Sequence, residues 1–150
     1  MWYDIQNQDE LLNNNILESI IKQDTKNNIF ILDAPSGSGK SYFVNHLSFG
    51  RTIRVPANLL KETVFYTNDV RQNMEMLVYF LTQLNLDIMC IEDIDYSIAG
   101  LDATQELYAN MVLWMSRRYK VLLTGIGINR NCKTFLELLP DHYLYFKYKI

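Results

Sequence analysis

The chain has 150 residues, of which 49% are hydrophobic and 21% are charged, a balance typical of one globular domain with a substantial core. The net charge of -3 argues against a surface built mainly to hold a nucleic-acid backbone. No apolar run approaches the ~18 residues of a membrane span, and the two cysteines, Cys90 and Cys132, have no metal-binding or redox spacing. We therefore expect a cytoplasmic protein with no membrane contact, in which Cys90 fills space in the core.

Helical and strand-like patterns alternate along the chain. Periodicity and capping residues predict helices at 9–23, 40–49, 68–84 and 102–118, and buried strands at 28–33, 52–55, 86–91, 120–124 and 142–150. The apolar stripes predicted to face the core are Leu12, Ile16, Ile20 and Ile21; Phe43, Val44 and Leu47; Val70, Met74, Leu77, Val78 and Leu81; and Leu107, Met111, Trp114 and Met115.

Most of these strands are continuous apolar runs without an alternating polar face, which is typical of a parallel sheet covered on both sides. The predicted fold class is therefore α/β, a three-layer α/β/α sandwich around a parallel five-stranded sheet. We expect a single domain, in which residues 1–27 form an N-terminal helical segment and residues 28–150 form the core.

The stretch APSGSGKS, at residues 34–41, follows a predicted strand and opens a predicted helix. It fits the phosphate-loop pattern except that Ala34 stands where the first glycine is usual. Gly37 and Gly39 permit a backbone that wraps N–H groups around an anion, and Lys40 can reach the β- and γ-phosphates. The residues predicted to contact ATP or ADP are Pro35, Ser36, Gly37, Ser38, Gly39, Lys40, Ser41 and Tyr42. The alternative is a glycine-rich turn with a chance Lys-Ser pair.

Two acids end the predicted strand at 86–91. In a phosphate-loop ATPase, an acid at this point supports Mg²⁺ and the next can orient the attacking water. By position, Glu92 is the predicted metal-side acid, with Ser41 as the second Mg²⁺ ligand, and Asp93 is the predicted catalytic base. The usual order at such sites is aspartate first, so the alternative is a solvated acidic turn. Asp95 is interpreted as a loop or helix-capping residue.

The strand at 120–124 ends in a threonine. A polar residue at this point can sense the γ-phosphate, and Thr124 is the first candidate for this catalytic role, with Asn129 as the second. The alternative is that Thr124 only bonds backbone. Arg117, Arg118 and Arg130 are candidates for contacts between subunits, although solvated positions are the simpler interpretation.

Taken together, these motifs and the sequence segments between them resemble those of the AAA+ ATPases of the bacterial replication initiator DnaA and its regulatory relative Hda. The likeness runs from residue 28 to residue 141 and includes NIFILDAPSGSGKSYFVNHL, TIRVPANLLKE, LLTG, TQEL and LLPD. It implies an ASCE-type ATP-binding core with Mg²⁺, weak hydrolysis, and a replication-initiator or helicase-type protein partner or self-association. DNA contact is open, without a dedicated DNA-binding domain.

This sequence also departs from the families' pattern. No arginine follows Asp141 to serve as an arginine finger, Ile126 stands where the families have an aspartate, and the helical lid is not expected. The stretch QDELL, at residues 8–12, is a poor version of Hda's sliding-clamp motif, and a helix start at Asp9 is the simpler interpretation. Trp2 and Tyr3 are expected to pack on the domain itself.

Three other functions remain open. A helicase-loader-like or transposition-helper ATPase shares the same core, and the swapped acids and missing finger also suit a non-hydrolysing interaction module. A small-molecule phosphate-loop kinase is disfavoured, because no arginine-bearing lid is present and the segment RVPANLL offers no aspartate base.

Overall fold

A parallel sheet of six strands forms the centre of the molecule, in a computed structural model that describes residues 2–13, 16–139, 141 and 143–149. The strand order is β1-β6-β2-β5-β4-β3, and every neighbouring pair is parallel. The strands are β1 (Trp2–Ile5), β2 (Ile29–Asp33), β3 (Thr52–Pro56), β4 (Ile88–Glu92), β5 (Lys120–Gly125) and β6 (Tyr143–Tyr148).

Helices cover both faces of the sheet. One face carries α1 (Asp9–Leu12), α2 (Ile16–Gln23) and α3 (Lys40–Asn45). The other face carries α4 (Ala57–Val64), α5 (Val70–Gln83), α6 (Ile94–Ile98), α7 (Asp102–Ser116), α8 (Ile128–Asn131) and α9 (Lys133–Leu138).

The strands divide their side chains between two separate hydrophobic cores. In β2, Phe30 and Leu32 point to the core under α1–α3, whereas Ile29 and Ile31 point to the core under α4–α9. This alternation follows from the two-residue period of a strand, and burial on both faces explains why β2 is apolar throughout. The predicted three-layer α/β/α sandwich is confirmed.

The predicted count of five strands is wrong, because β1 adds a sixth at the edge, beside β6. Its pairing places Trp2 opposite Tyr145 and Tyr3 opposite Phe146. The Trp2 ring stacks on Tyr145 with a centroid separation of 4.3 Å, which confirms that the terminal aromatics pack on the domain. The four residues of β1 are too few to show the alternating pattern of a strand. For this reason they were predicted to belong to an N-terminal helical segment.

Several helices differ from their predicted bounds. The stretch at 9–23 contains α1 and α2, with residues 14 and 15 outside the described part, and α3 ends at Asn45 rather than residue 49. Helix α5 is capped by Asp69, whose carboxylate accepts from the Gln72 N–H at 3.1 Å, rather than by Asn68. Two residues of the predicted stripes are exposed: Ile16 at 48% and Trp114 at 52%. His142, Ile150 and Pro140 of LLPD lie outside the described residues.

The topology brings three chain segments to one edge of the sheet. Strands β2, β4 and β5 are neighbours or next neighbours, and because they are parallel, the loops after them open at the same side. The crevice outside the carboxyl ends of parallel strands is where open α/β sheets bind ligands. The phosphate-loop stretch, the acidic pair and the end of the threonine strand therefore meet here.

Candidate functional site

The loop at residues 34–39 joins β2 to α3 and has the backbone of an anion cradle. Gly37 and Gly39 have φ angles of +79° and +105°, which residues with a side chain rarely adopt. The Ser38 hydroxyl donates to the Pro35 carbonyl at 2.7 Å and closes the turn from inside. The side chain of Ser38 is thus used within the loop.

A cavity of about 450 Å³ lies over this loop. Seven of the eight residues predicted to contact nucleotide line it, and Ser38 is the exception. The lining residues are Gln8, Pro35, Ser36, Gly37, Gly39, Lys40, Ser41, Tyr42, Asp93 and Ile126. The structure therefore brings the phosphate-loop stretch together with one of the two predicted acids.

Lys40 crosses the base of the cavity. Its ammonium group donates to the Ala34 carbonyl at 3.0 Å and lies 3.5 Å from the Gly125 carbonyl. These two carbonyls belong to adjacent strand ends, since the Ala34 N–H also donates to the Gly125 carbonyl. The positive charge is thus held at the cavity floor by neutral acceptors, with no carboxylate neutralising it among the described residues.

Glu92 does not line this cavity. Its carboxylate is held by the Arg54 guanidinium through two hydrogen bonds, from Nη2 to Oε1 at 2.7 Å and from Nε to Oε2 at 3.2 Å. The pair raises the pKa of Arg54, chiefly through these hydrogen bonds. Arg54 also donates to Asn45, the last residue of α3. The predicted metal-side acid is therefore engaged with a neighbouring strand.

Asp93, which follows β4, has an unusual backbone conformation and lines the cavity. It is the one non-glycine residue with positive φ in the described ranges, at φ +59°, and this left-handed conformation is tolerated best by glycine, asparagine and aspartate. Its side chain is exposed and lines the cavity. Of the two acids, Asp93 is the one that lines the cavity.

Thr124 lies behind Asp93 rather than beside the phosphate-loop cavity. It is 1% exposed, and its hydroxyl accepts from the Asp93 N–H at 3.3 Å. This bond fixes the start of α6 against the end of β5. A γ-phosphate-sensing role for Thr124 stays a prediction, and the contact that the structure shows is to backbone.

The two predicted Mg²⁺ ligands have different surroundings. Ser41 lines the cavity, whereas both carboxylate oxygens of Glu92 accept from Arg54. The described residues contain no cluster of three or more histidine, cysteine or acidic side chains placed to hold a metal ion. With both oxygens accepting from Arg54, Glu92 has no free oxygen for Mg²⁺ in this arrangement, and the predicted metal site stays a prediction.

A buried carboxylate just before the loop was not recognised as a functional element from the sequence. Asp33 is 1% exposed and accepts from the N–H groups of Gly127 at 2.8 Å and Ile128 at 3.1 Å. It also accepts from the Tyr145 hydroxyl and pairs with Lys147 at 3.4 Å. Asp33 therefore ties the phosphate-loop strand to the loop after β5 and to β6.

The other residues predicted to have functional roles do not line the cavity. Asn129 donates its backbone N–H to the Tyr145 hydroxyl at 2.9 Å, and its buried side-chain oxygen has no partner among the described atoms. Asp95 accepts from the Ile126 N–H at 3.1 Å, as expected of a loop-holding residue. The side chains of Arg117, Arg118 and Arg130 are exposed or nearly so and do not line the cavity.

The N-terminal segment contributes to the site from the opposite side. The Gln8 side-chain amide donates to the Gly37 carbonyl at 3.1 Å. A β-carbon added at Gly39 would lie 2.9 Å from Leu12 Cδ2, so α1 is in close contact with the loop. The stretch QDELL thus begins a helix at Asp9 and packs against the loop, and none of its sequence signals predicted that contact.

No helix in the described part of the chain has the length and apolar character needed to cross a membrane.

Comparison with solved structures identifies the fold. AMPPCP-bound DnaA from Aquifex aeolicus matches with a TM-score of 0.63 and 12% identity, over 95% of this chain and 47% of that one. A DnaA bound to AMPPCP and single-stranded DNA matches with a TM-score of 0.59 and 9% identity, over 94% and 49%. The Aeropyrum pernix Orc1 protein in complex with DNA matches with a TM-score of 0.55 and 15% identity, over 88% and 42%.

These likenesses show that the chain has the fold of an AAA+ ATPase core and resembles that of DnaA. The chain spans about half the length of these proteins, with 47% coverage of the Aquifex DnaA. No protein-family model matches the sequence, and no curated protein matches it.

Proposed function

We propose that the chain is a single ATP-binding domain of AAA+ type, whose bound nucleotide governs contacts with protein partners in replication initiation or its control. The observation that carries the proposal is the cavity of about 450 Å³ over the cradle at residues 34–41, with Lys40 at its floor and Asp93 at its wall. A nucleoside triphosphate is the class of ligand that this chemistry suits, because the loop amides and one lysine complement phosphate oxygens. The structures of DnaA that share the fold were determined with AMPPCP.

The proposal includes weak hydrolysis at most. Asp93 lines the cavity and is the proposed group for orienting a water molecule, but Glu92 is paired with Arg54, and the Thr124 hydroxyl accepts from the Asp93 N–H. Since the electrostatic support of phosphoryl transfer comes from several groups acting together, a site lacking two of them supports binding better than turnover. A non-hydrolysing, nucleotide-binding interaction module is therefore the second candidate function.

Partner contact is supported by exposed apolar side chains on α4, on α5 and in the connection between them. Leu59, Tyr66, Met76, Tyr79 and Phe80 are each between 52% and 86% exposed. All of these except Tyr79 line one surface groove, and exposed apolar surface of this kind is typical of protein interaction sites. The proposed partner is an initiator- or helicase-type protein or another copy of the chain, and katanin, which shares the fold with a TM-score of 0.52, is described as self-assembling.

The test is the affinity for ATP of the wild type and of Lys40→Ala, measured by isothermal titration calorimetry. Removing the ammonium group from the cavity floor should weaken ATP binding at least about tenfold, the cost of one charge-assisted contact. The folded state should survive, because the bonds that Lys40 makes to Ala34 and Gly125 are replaceable by water in a part-buried site.

Lys133→Ala is the matched control, because Lys133 is exposed, does not line the cavity and makes no ion pair among the described residues. Equal ATP affinity in Lys40→Ala and Lys133→Ala would refute the site. Thermal unfolding of all three proteins separates lost binding from lost structure.

A further inference from the structure

Glu92, which ends β4, and Arg54 of β3 form an ion pair with defined geometry. The guanidinium meets the carboxylate with two hydrogen bonds, of 2.7 Å and 3.2 Å, in the forked geometry that makes such pairs strong. The side chains of Arg54 and Glu92 are 32% and 20% exposed, so solvent competes with the pair only in part. The pair is therefore partly shielded from solvent, and its two hydrogen bonds favour one arrangement of the two groups.

The register of the sheet explains why the two residues meet. Pro56 lies opposite Glu92 in the β3–β4 ladder, and Arg54 is two residues before Pro56, on the same face of β3. Diagonal neighbours on one face are within reach of a long side chain. Glu92 therefore receives Arg54 as a consequence of strand pairing.

A third residue joins the pair to the phosphate-loop helix. The Arg54 guanidinium also donates to the side-chain oxygen of Asn45. Asn45 and Ser41 are four residues apart in α3 and so share one face of that helix. The arginine is thus placed between β4 and the helix that presents Ser41, the region in which the sequence predicted a divalent cation.

We propose that Arg54 takes the position of a divalent cation at Glu92, so that this chain binds ATP with an affinity that depends little on Mg²⁺. The inference rests on the proposed nucleotide binding. A carboxylate whose two oxygens accept from one guanidinium keeps its negative charge, but that charge is compensated by the arginine and its oxygens are occupied, so it attracts a metal ion less. The phosphates are then held by Lys40 and the loop amides, and Glu92 has a structural role between β3, β4 and α3.

The experiment measures the dissociation constant of ATP twice for each protein, once with excess Mg²⁺ and once with EDTA. The quantity of interest is the ratio of the EDTA value to the Mg²⁺ value. For the wild type we expect a ratio within about twofold of one. For Arg54→Gln, which frees Glu92, we expect the ratio to rise about tenfold, the size of effect usual when a group that controls a metal ligand is changed.

Three further variants make the result specific. Arg54→Gln combined with Glu92→Gln should return the ratio to the wild-type value, because the gain requires the freed carboxylate. Glu92→Gln alone should change the dissociation constants with Mg²⁺ and with EDTA by the same factor. This variant tests the inference even if Arg54→Gln folds poorly. Arg51→Gln should leave the ratio unchanged. It removes the same charge from a side chain that is 60% exposed and pairs loosely with Asp87 at 3.9 Å.

The outcomes separate the inference from the function on which it rests. A wild type that binds ATP much more tightly with Mg²⁺, or a Glu92→Gln variant that loses affinity only when Mg²⁺ is present, would overturn the role of Arg54 and leave nucleotide binding intact. An unchanged ratio in folded Arg54→Gln would do the same. Absence of ATP binding by the wild type under both conditions would overturn the proposed function itself.

Discussion

Asp33 occupies a position that governs several contacts at once. It ends β2, directly before the phosphate-loop stretch, and its carboxylate has four partners: two backbone N–H groups, the Tyr145 hydroxyl and the Lys147 ammonium. A buried carboxylate is costly unless it is paired and hydrogen-bonded. The contacts of Asp33 meet that condition, and two of them, from the N–H groups of Gly127 and Ile128, also hold the loop after β5 in place.

Tyr145→Phe should lower the free energy of unfolding by about 2 kcal/mol, because two buried groups would each lose a partner. The Asp33 carboxylate would lose a donor, and the Asn129 N–H would lose its acceptor. Urea unfolding measures the change. Tyr143→Phe is the control on the same strand, since the Tyr143 hydroxyl has no hydrogen-bond partner among the described residues and its removal should cost little.

Residues whose chemistry is local were predictable from the sequence, whereas those with distant partners were not. Gly37, Gly39 and Lys40 belong to one continuous motif, and all three line the cavity. Glu92 was assigned to metal because no local signal indicates that Arg54 is its partner. Asp33 meets Tyr145 and Lys147 only after the sheet has paired β2 with β6.

At the scale of elements, the packing of α1 against the phosphate loop is the contact with the clearest energetic consequence. Gly37 and Gly39 both have positive φ, but their surroundings differ. A β-carbon at Gly37 would meet no atom within 4 Å, whereas one at Gly39 would lie 2.9 Å from Leu12 Cδ2 and 3.4 Å from Leu11 Cβ. The first glycine is required by conformation alone, and the second also by the helix above it.

Gly39→Ala should therefore be more destabilising than Gly37→Ala, by about 1 kcal/mol or more, since overpacking adds to the backbone strain that both variants share. Adding Leu12→Ala to each variant should shrink the difference between them. Chemical unfolding of six proteins measures the coupling: the four glycine variants, with the wild type as reference for the two single variants and Leu12→Ala as reference for the two double variants. Equal destabilisation by the two glycine substitutions would contradict the close contact between α1 and the loop.

The long elements were predictable and the short ones were not, for a physical reason. Strands β2, β4 and β5 are buried on both faces and so appear in the sequence as continuous apolar runs. Helices α6 and α8 have five and four residues, too few to display a helical period. They form because tertiary contacts hold them: Asp33 caps α8, and Thr124 bonds the first turn of α6.

In the molecule as a whole, burial in the two cores suppresses the ionisation of two cysteine thiols and a tyrosine hydroxyl. Burial raises the pKa of Cys90 and of Cys132 from 9.0 to about 12. It also raises the pKa of Tyr119 from 10.0 to about 12. Cys90 lies under α1–α3 and Cys132 under α4–α9, so both cores are affected. The prediction that Cys90 fills the core is confirmed, since it is 0% exposed.

Stability should fall steeply at alkaline pH. Each of these groups is neutral when folded and ionises more readily when unfolded, so its contribution is complete below about pH 9 and is lost as the pH rises towards about 12. Urea unfolding across this range measures the slope. The Cys90→Ala and Cys132→Ala variants should each show a shallower fall, and a wild-type stability that stays constant through the range would contradict the burial of these thiols.

The contacts of Asp33 offer a way to recognise kin of this chain. A search by phosphate loop alone returns proteins of many unrelated lineages, because that pattern is short. An aspartate directly before the loop, accompanied by a tyrosine and a lysine two residues apart in β6, places three further requirements on a sequence. Descendants of one ancestor should keep or lose these three positions together, since an orphaned acid in that place would weaken both the sheet and the loop beside it.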